Sequence, residues 1–242
     1  PLPFEGPRYY LRPDDIGCGG YSRMEQQRIP LFPLGVVLLP RMPLPLHIFE
    51  ERYKEMIARC IDESIPFGVV YASGSRLQSS GCTARVERVI EEYDDGRSDI
   101  LTLGERRFHI DEMLEKRSYM EADVSYFEDD GVDGDGIGGA RERIGELAQT
   151  AVERLETLGD LSGHEIERDP LESLDPQSLS FIIGASGVFT LEDRQSFLDM
   201  RSTEERLSEE VRRLEQSIAQ REMIRDARQT LGLKGDLSHL LN

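Results

Sequence analysis

Residues 29–49 read IPLFPLGVVLLPRMPLPLHIF, and this stretch decides the fold. It carries one charge, Arg41, and five prolines, Pro30, Pro33, Pro40, Pro43 and Pro45. Each proline removes a backbone donor and clashes with the preceding helical turn, so a helix is excluded. What remains is a set of short, apolar, largely buried strands, and their prolines call for bulges or edge positions. From Glu50 to Ser64 the period changes. Tyr53, Met56, Ile57, Cys60 and Ile61 recur at helical spacing, which predicts one amphipathic helix packed on a sheet.

Working outward, strand signals return after Pro66. Phe67 to Tyr71 reads as a strand, followed by a Gly/Ser loop through Gly81. Cys82 to Tyr93 and Ser98 to Ile110 flank Asp94-Asp95-Gly96, a turn signal that predicts a long β-hairpin. Met120, Ala122, Val124 and Tyr126 alternate with Glu121, Asp123 and Ser125, giving a strand with one wet face. Residues 29–128 therefore form a β domain with one helix, and residues 1–28, punctuated by Pro and Gly, form an N-terminal extension. The run EDDGVDGDGIGG, Glu128 to Gly139, reads as an acidic Gly-rich linker over 129–139. A calcium loop starting at Asp133 would place Ile137 at a ligand position, where it has no oxygen to offer.

From residue 140 to 242 the periods are helical. Ile144, Leu147, Ala148, Ala151, Val152, Leu155 and Leu158 form a continuous apolar stripe. Asp175-Pro176 supplies an N-cap and a first-turn proline, with Leu174 and Leu179 placed as a hydrophobic staple. Thr190 with Asp193 opens another helix, and Ser202 with Glu205 opens a long one reaching about Leu231. A bundle of about four helices follows, and the fold class is α+β. The stripe Leu207, Val211, Leu214 and Ile218 fits either the bundle core or a homodimer seam.

Composition narrows the function. The chain has 242 residues, of which 38% are apolar, enough to bury a core without metal or disulfide. Its 47 acidic and 29 basic residues give a net charge of −18, and Lys54, Lys116 and Lys234 are its lysines. Phosphate binding is driven by counterion release from Lys and Arg, so nucleic acid and anionic membrane surfaces are poor partners. The acid excess fits genome composition and a salty habitat equally. Cys18, Cys60 and Cys82 show no C-x-x-C spacing, which argues against a disulfide framework or a zinc site, and Cys60 is expected as a buried, inert thiol. No apolar stretch in the first 28 residues resembles a secretory signal, so a reducing cytoplasm is the expected compartment.

No catalytic constellation emerges. Gly184-Ala185-Ser186-Gly187 misses the spacing of a nucleophile elbow and reads as a helix end. No Gly-Lys pair exists, hence no P-loop. His47, His109, His164 and His239 are scattered, and His164-Glu165 lacks the second histidine of a zinc-protease helix. No enzyme activity, metal or cofactor is expected.

IPLFPLGVVLLPRMPLPLHIFEERYKEMI resembles the opening of the Lon protease N-terminal domain family. PFGVVYA, GCTARVERVIEEYDDG, ILTLGERRFHI and YMEADVSYFED follow in that family's order, and LEDRQSFLDMRSTEERL resembles its helical segment. The resemblance spans about Ile29 to Leu231. It implies a PUA-like β pseudo-barrel followed by a helical bundle, in a stand-alone member without the ATPase and peptidase modules. It also implies substrate recognition. The client would be an exposed or unfolded polypeptide, with a protease or chaperone as partner.

Three functional hypotheses follow. The first is a non-catalytic module binding exposed polypeptide, where proline-broken strands leave unpaired edge groups beside apolar side chains. Its peptide-contact residues are Phe49, Glu51, Arg52 and Tyr53; the competing reading puts Phe49 and Tyr53 in the core and leaves only the charged pair exposed. The second is an RNA-binding PUA-like module, which the charge opposes. The third is a small-molecule hydrolase with an unrecognised site.

Overall fold

The computed structural model describes residues 26–114, 117–131 and 137–231. The chain divides into two compact units, one containing 26–131 with Gly184–Thr203, the other containing 137–183 with Glu204 onward. The sequence reading placed all of 140–242 in the helical bundle. The segment from Gly184 to Thr203 instead belongs with the sheet.

The first unit is a six-stranded sheet formed by β1 (Gln26–Leu34), β2 (Pro43–Ile48), β3 (Phe67–Ser73), β4 (Arg76–Glu92), β5 (Ser98–Leu114) and β6 (Met120–Tyr126). Its order is β2-β5-β4-β3-β1-β6, and a further β5–β6 pairing closes five of the strands into a ring. The ring interior is filled by Ile29, Leu31, Val70, Leu77, Phe108, Ile110, Met120, Ala122, Val124 and Tyr126. The inward residues of β1 and β6 alternate as the period-2 pattern requires.

The prolines behave in two ways. Pro43 and Pro45 lie on β2, an edge strand paired with β5 alone, as expected. Pro30 and Pro33 lie on β1, which is internal to the sheet, contrary to the expectation of an edge or a bulge. The two ladders of β1 overlap only at Leu31: Gln26 to Leu31 pair with β6 and Leu31 to Leu34 with β3. Each proline thus has a single neighbouring strand, and its missing donor can face away from that strand.

The Gly/Ser stretch is also a correction. Residues 76–81 are not a loop but the first part of β4, paired with β3 around a tight turn at Gly74. Their weak strand propensity is overridden by pairing and by burial of Leu77 and Ser80. The hairpin at Asp94-Asp95-Gly96 forms as read, with Gly96 at φ +77°, a conformation that favours glycine.

Helix α1 (Glu51–Asp62) buries Tyr53, Met56, Ile57 and Cys60. Phe32 stacks on Tyr53 at 4.1 Å between ring centroids. Burial pushes the Cys60 thiol up to about 12, so it is inert as expected. Ile61 departs from the expected stripe and is 44% exposed. Eight residues on from Tyr53, it has rotated about 80° past that residue, to the margin of the buried face. Arg59 ties the helix to β6 through Glu121 at 2.7 Å and the Tyr119 hydroxyl at 3.2 Å.

Segment 184–203 carries α5 (Leu191–Asp199), which opens with the Thr190–Asp193 capping box. It is held by Arg107 of β5, whose side chain is 1% exposed. The guanidinium donates to the carbonyls of Leu198 (3.0 Å) and Met200 (2.5 Å) and to Asp129 (2.5 Å), and lies 4.6 Å over the Phe127 ring. Asp129 also accepts from the Thr203 hydroxyl, and Asp130 pairs with Arg201 at 2.8 Å. These two aspartates, read as the start of a linker, are anchors. Of the rest of that stretch, 132–136 lie outside the described residues and 137–139 already belong to the helix that follows, a correction to the linker's far bound; 1–25 of the extension also lie outside the described residues.

The second unit contains α2 (Ile137–Ser162), α3 (Arg168–Glu172), α4 (Pro176–Gly184) and α6 (Thr203–Leu231). Ala148, Ala151, Val152, Leu155 and Leu158 are buried along α2, and Leu207, Val211 and Leu214 along α6. Three of the four residues of the stripe that also suited a dimer seam are therefore inside this chain. Arg143–Glu204, Arg154–Glu215 and Arg221–Ser162 bonds run in step along α2 and α6, so the two helices lie parallel. Asp175 caps α4 by accepting from the Ser178 amide at 2.9 Å. Arg206, fully buried, donates to Ser180 at 2.7 Å and stacks over Phe181. Four residues further on, both carboxyl oxygens of buried Glu210 lack a hydrogen-bond partner among the described residues, and burial raises its pKa well above the usual range.

Candidate functional site

β5 is long enough to serve two purposes. Its second part closes the ring against β6, whereas residues 98–103 pair with β2 on one side and the outer part of β4 on the other. The β3 ladder ends at Ala84, so among the described residues Arg85 to Glu92 have β5 as their only strand neighbour. A three-stranded ribbon, β2–β5–β4, thus extends beyond the ring.

Register sets its side-chain rows. His47, Asp99 and Glu91 are cross-strand partners and share one face. The Nδ1 of His47 lies 2.6 Å from Asp99 Oδ1, and the Tyr93 hydroxyl donates to Asp99 Oδ2 at 2.7 Å and to Glu91 at 3.2 Å. The His47 and Tyr93 contacts hold the Asp99 carboxyl below its usual range, and the Asp99 bond pushes the Tyr93 phenol up to about 12. Phe49 stacks on His47 at 5.9 Å, and Tyr93 meets the same imidazole edge-on at 6.0 Å. The Lys54 ammonium donates to Glu51 and to the Asp95 carbonyl, fastening the start of α1 to the hairpin tip.

Phe49 at 59% and Ile90 at 55% are the most exposed large apolar side chains among the described residues of this unit. Both belong to the ribbon, and Val89 beside Ile90 is exposed as well. Scattered exposed apolar residues are ordinary, whereas these three lie on one small ribbon of an acidic protein.

The four sequence-derived contact residues divide in an unforeseen way. Tyr53 is core, as the competing reading held. Phe49 is not: it follows the end of β2 and projects outward. Glu51 is exposed and paired with Lys54 at 2.8 Å. Arg52 is largely covered, pairing with Glu50 at 2.7 Å and lying 4.5 Å over the Tyr53 ring, so the charged pair is not exposed as a pair. His47 and Asp99 were not singled out, since only strand register brings residues 52 positions apart together.

The edges also differ from expectation. β2 offers prolines instead of donors at 43 and 45, and the outer part of β4 is bulged between Val86 and Arg88 and again between Val89 and Glu91. Both features discourage addition of another strand.

A second polar place in the same unit is a cleft of about 330 Å³ lined by Tyr71, Ser73, Arg76, Gln78, Glu192 and Gln195. Behind it, Ser80 donates to Asp199 and accepts from the Gln195 amide at 3.0 Å. His109 stacks on Phe127 at 4.4 Å, and burial lowers its pKa.

The fold is similar to that of solved Lon N-terminal domains. It matches the N-terminal domain of a Mycobacterium avium complex Lon protease with a TM-score of 0.61 at 18% identity, covering 78% of this chain and 98% of that one. A Lon N-terminal domain protein from Xanthomonas campestris matches with a TM-score of 0.56 at 22% identity, covering 76% and 96%. The sequence specifies the family: residues 28–216 match the ATP-dependent protease La (LON) substrate-binding domain, and the chain belongs to that family. It is 27% identical over 200 residues to the Lon protease of Escherichia coli K12, which covers 77% of this chain and 24% of that protein. The Lon protease of Shigella dysenteriae is similar at the same identity. The chain spans about a quarter of the length of these curated relatives. Among the described residues, no helix is long and apolar enough to cross a membrane.

Proposed function

We propose that the chain is a non-catalytic holding module that binds exposed or unfolded segments of other polypeptides at the β2–β5–β4 ribbon, for delivery to a protease or chaperone partner. Membership in a substrate-binding domain family supports the class of function. The observation that carries the location is Phe49, an exposed aromatic stacked on His47 at the end of a ribbon whose outer strand also exposes Val89 and Ile90. A rigid aromatic anchor contributes contact area at low conformational cost, the usual property of a binding hot spot. Glu51 flanks it as a contact residue, whereas Tyr53 packs on Phe32 and Arg52 lies over the Tyr53 ring, which fixes the start of α1.

Titration with a permanently unfolded protein tests this reading. Binding is expected at a Kd of about tens of micromolar or tighter, near −6 kcal/mol. Phe49→Ser is expected to weaken it about tenfold or more while leaving the melting temperature unchanged. Absence of binding at that scale, or salt-dependent retention on immobilised RNA in its place, contradicts the proposal.

A further inference from the structure

From the charges around the ribbon, and resting on the function proposed above, we infer that it selects extended segments in which Arg or Lys flanks apolar residues. Between Arg85 and Asp99 three arginines face six carboxylates, so the surface around Phe49 and Ile90 is negative beyond the average of the chain. Two of those arginines are already engaged, Arg85 with Glu87 and Glu105, and Arg97 with Asp95. Among the described residues, no cation pairs with Glu91, Glu92 or Asp94. These carboxylates follow the exposed Val89 and Ile90 along a ribbon whose two edges resist main-chain pairing, so a partner's side chains must supply the fit.

The aromatic groups strengthen the same preference. The face of a phenyl or phenol ring attracts cations, and the unit already uses this chemistry: the Arg97 guanidinium lies 5.0 Å over the Tyr93 ring. Phe49 presents its open surface beside His47, in the cross-strand row that continues through Asp99 to Glu91, and a partner's guanidinium or ammonium would lie over that row. Each exposed contact of this kind changes affinity only a few-fold, and two or three together give about tenfold. An acidic segment meets repulsion at the same carboxylates, which turns a general apolar surface into a selective one.

The test uses three unfolded peptides with one apolar core sequence, flanked by Arg, by Gln or by Glu, titrated against the full chain. The expected order is Arg over Gln over Glu, with Arg and Glu separated by about tenfold or more at low salt and by less at about 0.5 M salt, where charges are screened. In a Glu91→Gln, Glu92→Gln, Asp94→Asn variant the separation should shrink to about twofold, with the Gln-flanked peptide bound as before. Unchanged affinity for that neutral peptide shows that the variant is folded. Equal binding of all three peptides overturns the charge preference and leaves the proposed function standing. Binding of none overturns both. A preference that survives in the variant overturns its assignment to this ribbon.

Discussion

The two ends of the β4–β5 hairpin are built from the same strands and meet opposite fates. At the near end, Arg107 is buried and every direction of its guanidinium is used, by two carbonyls, a carboxylate and a ring. At the far end, charged and apolar side chains alternate in water, and the aromatic groups are fixed to each other instead of to a core. Burial has made the near end a structural anchor, and release from the β3 ladder after Ala84 has freed the far end for contact. Perturbing the near end should cost stability, and perturbing the far end should cost only binding.

The comparison breaks most readily at Arg107. Arg107→Ala is expected to destabilise the fold by about 3–5 kcal/mol in urea unfolding, because Asp129 would lose its buried cation and two carbonyls their donor. A loss below about 1 kcal/mol would show that the near end is not an anchor. Gly104→Ala should come next, at about 1–3 kcal/mol, since an added Cβ would collide with the Leu39 carbonyl, which is backbone and cannot turn aside.

Glu210 sharpens the point from the other unit, as a buried carboxyl with no donor among the described residues. Its folded pKa is raised above the ordinary 4.5. As pH rises past about 4.5 the unfolded chain ionises while the folded one holds its proton, so stability falls with rising pH. Glu210→Gln removes that loss and is expected to stabilise the protein by about 1–3 kcal/mol at pH 7, with no difference at acid pH. Destabilisation by the substitution would mean that Glu210 is ionised and paired. The smallest effect is expected at the far end, where Phe49→Ser and Ile90→Ser should each move unfolding by less than about 0.5 kcal/mol.

Much of this was legible in the sequence. The prolines of 29–49, the helical spacing after Glu50 and the Asp94-Asp95-Gly96 turn are local signals, and each specified its element. The capping box at Thr190 and Asp193 was equally visible, but not that its helix belongs with the sheet, since that depends on Arg107 bonding carbonyls 91 and 93 positions away. Residues 76–81 were misread because Ser, Gln and Gly have little strand propensity of their own. The ribbon's chemistry was hidden for a related reason. His47 becomes a neighbour of Asp99, and Phe49 an exposed group, only once the register between β2 and β5 is known. Residue type left Phe49 open between a contact surface and the core and put Arg52 in solvent, whereas the start of α1 exposes Phe49 and covers Arg52.

Amide hydrogen exchange of the native chain, with and without a saturating unfolded polypeptide, tests the central claim most directly. Slowed exchange confined to residues 47–51 and 85–99, with Gly104 to Leu114 unchanged, is the predicted result. Slowing elsewhere with the ribbon unaffected would contradict it.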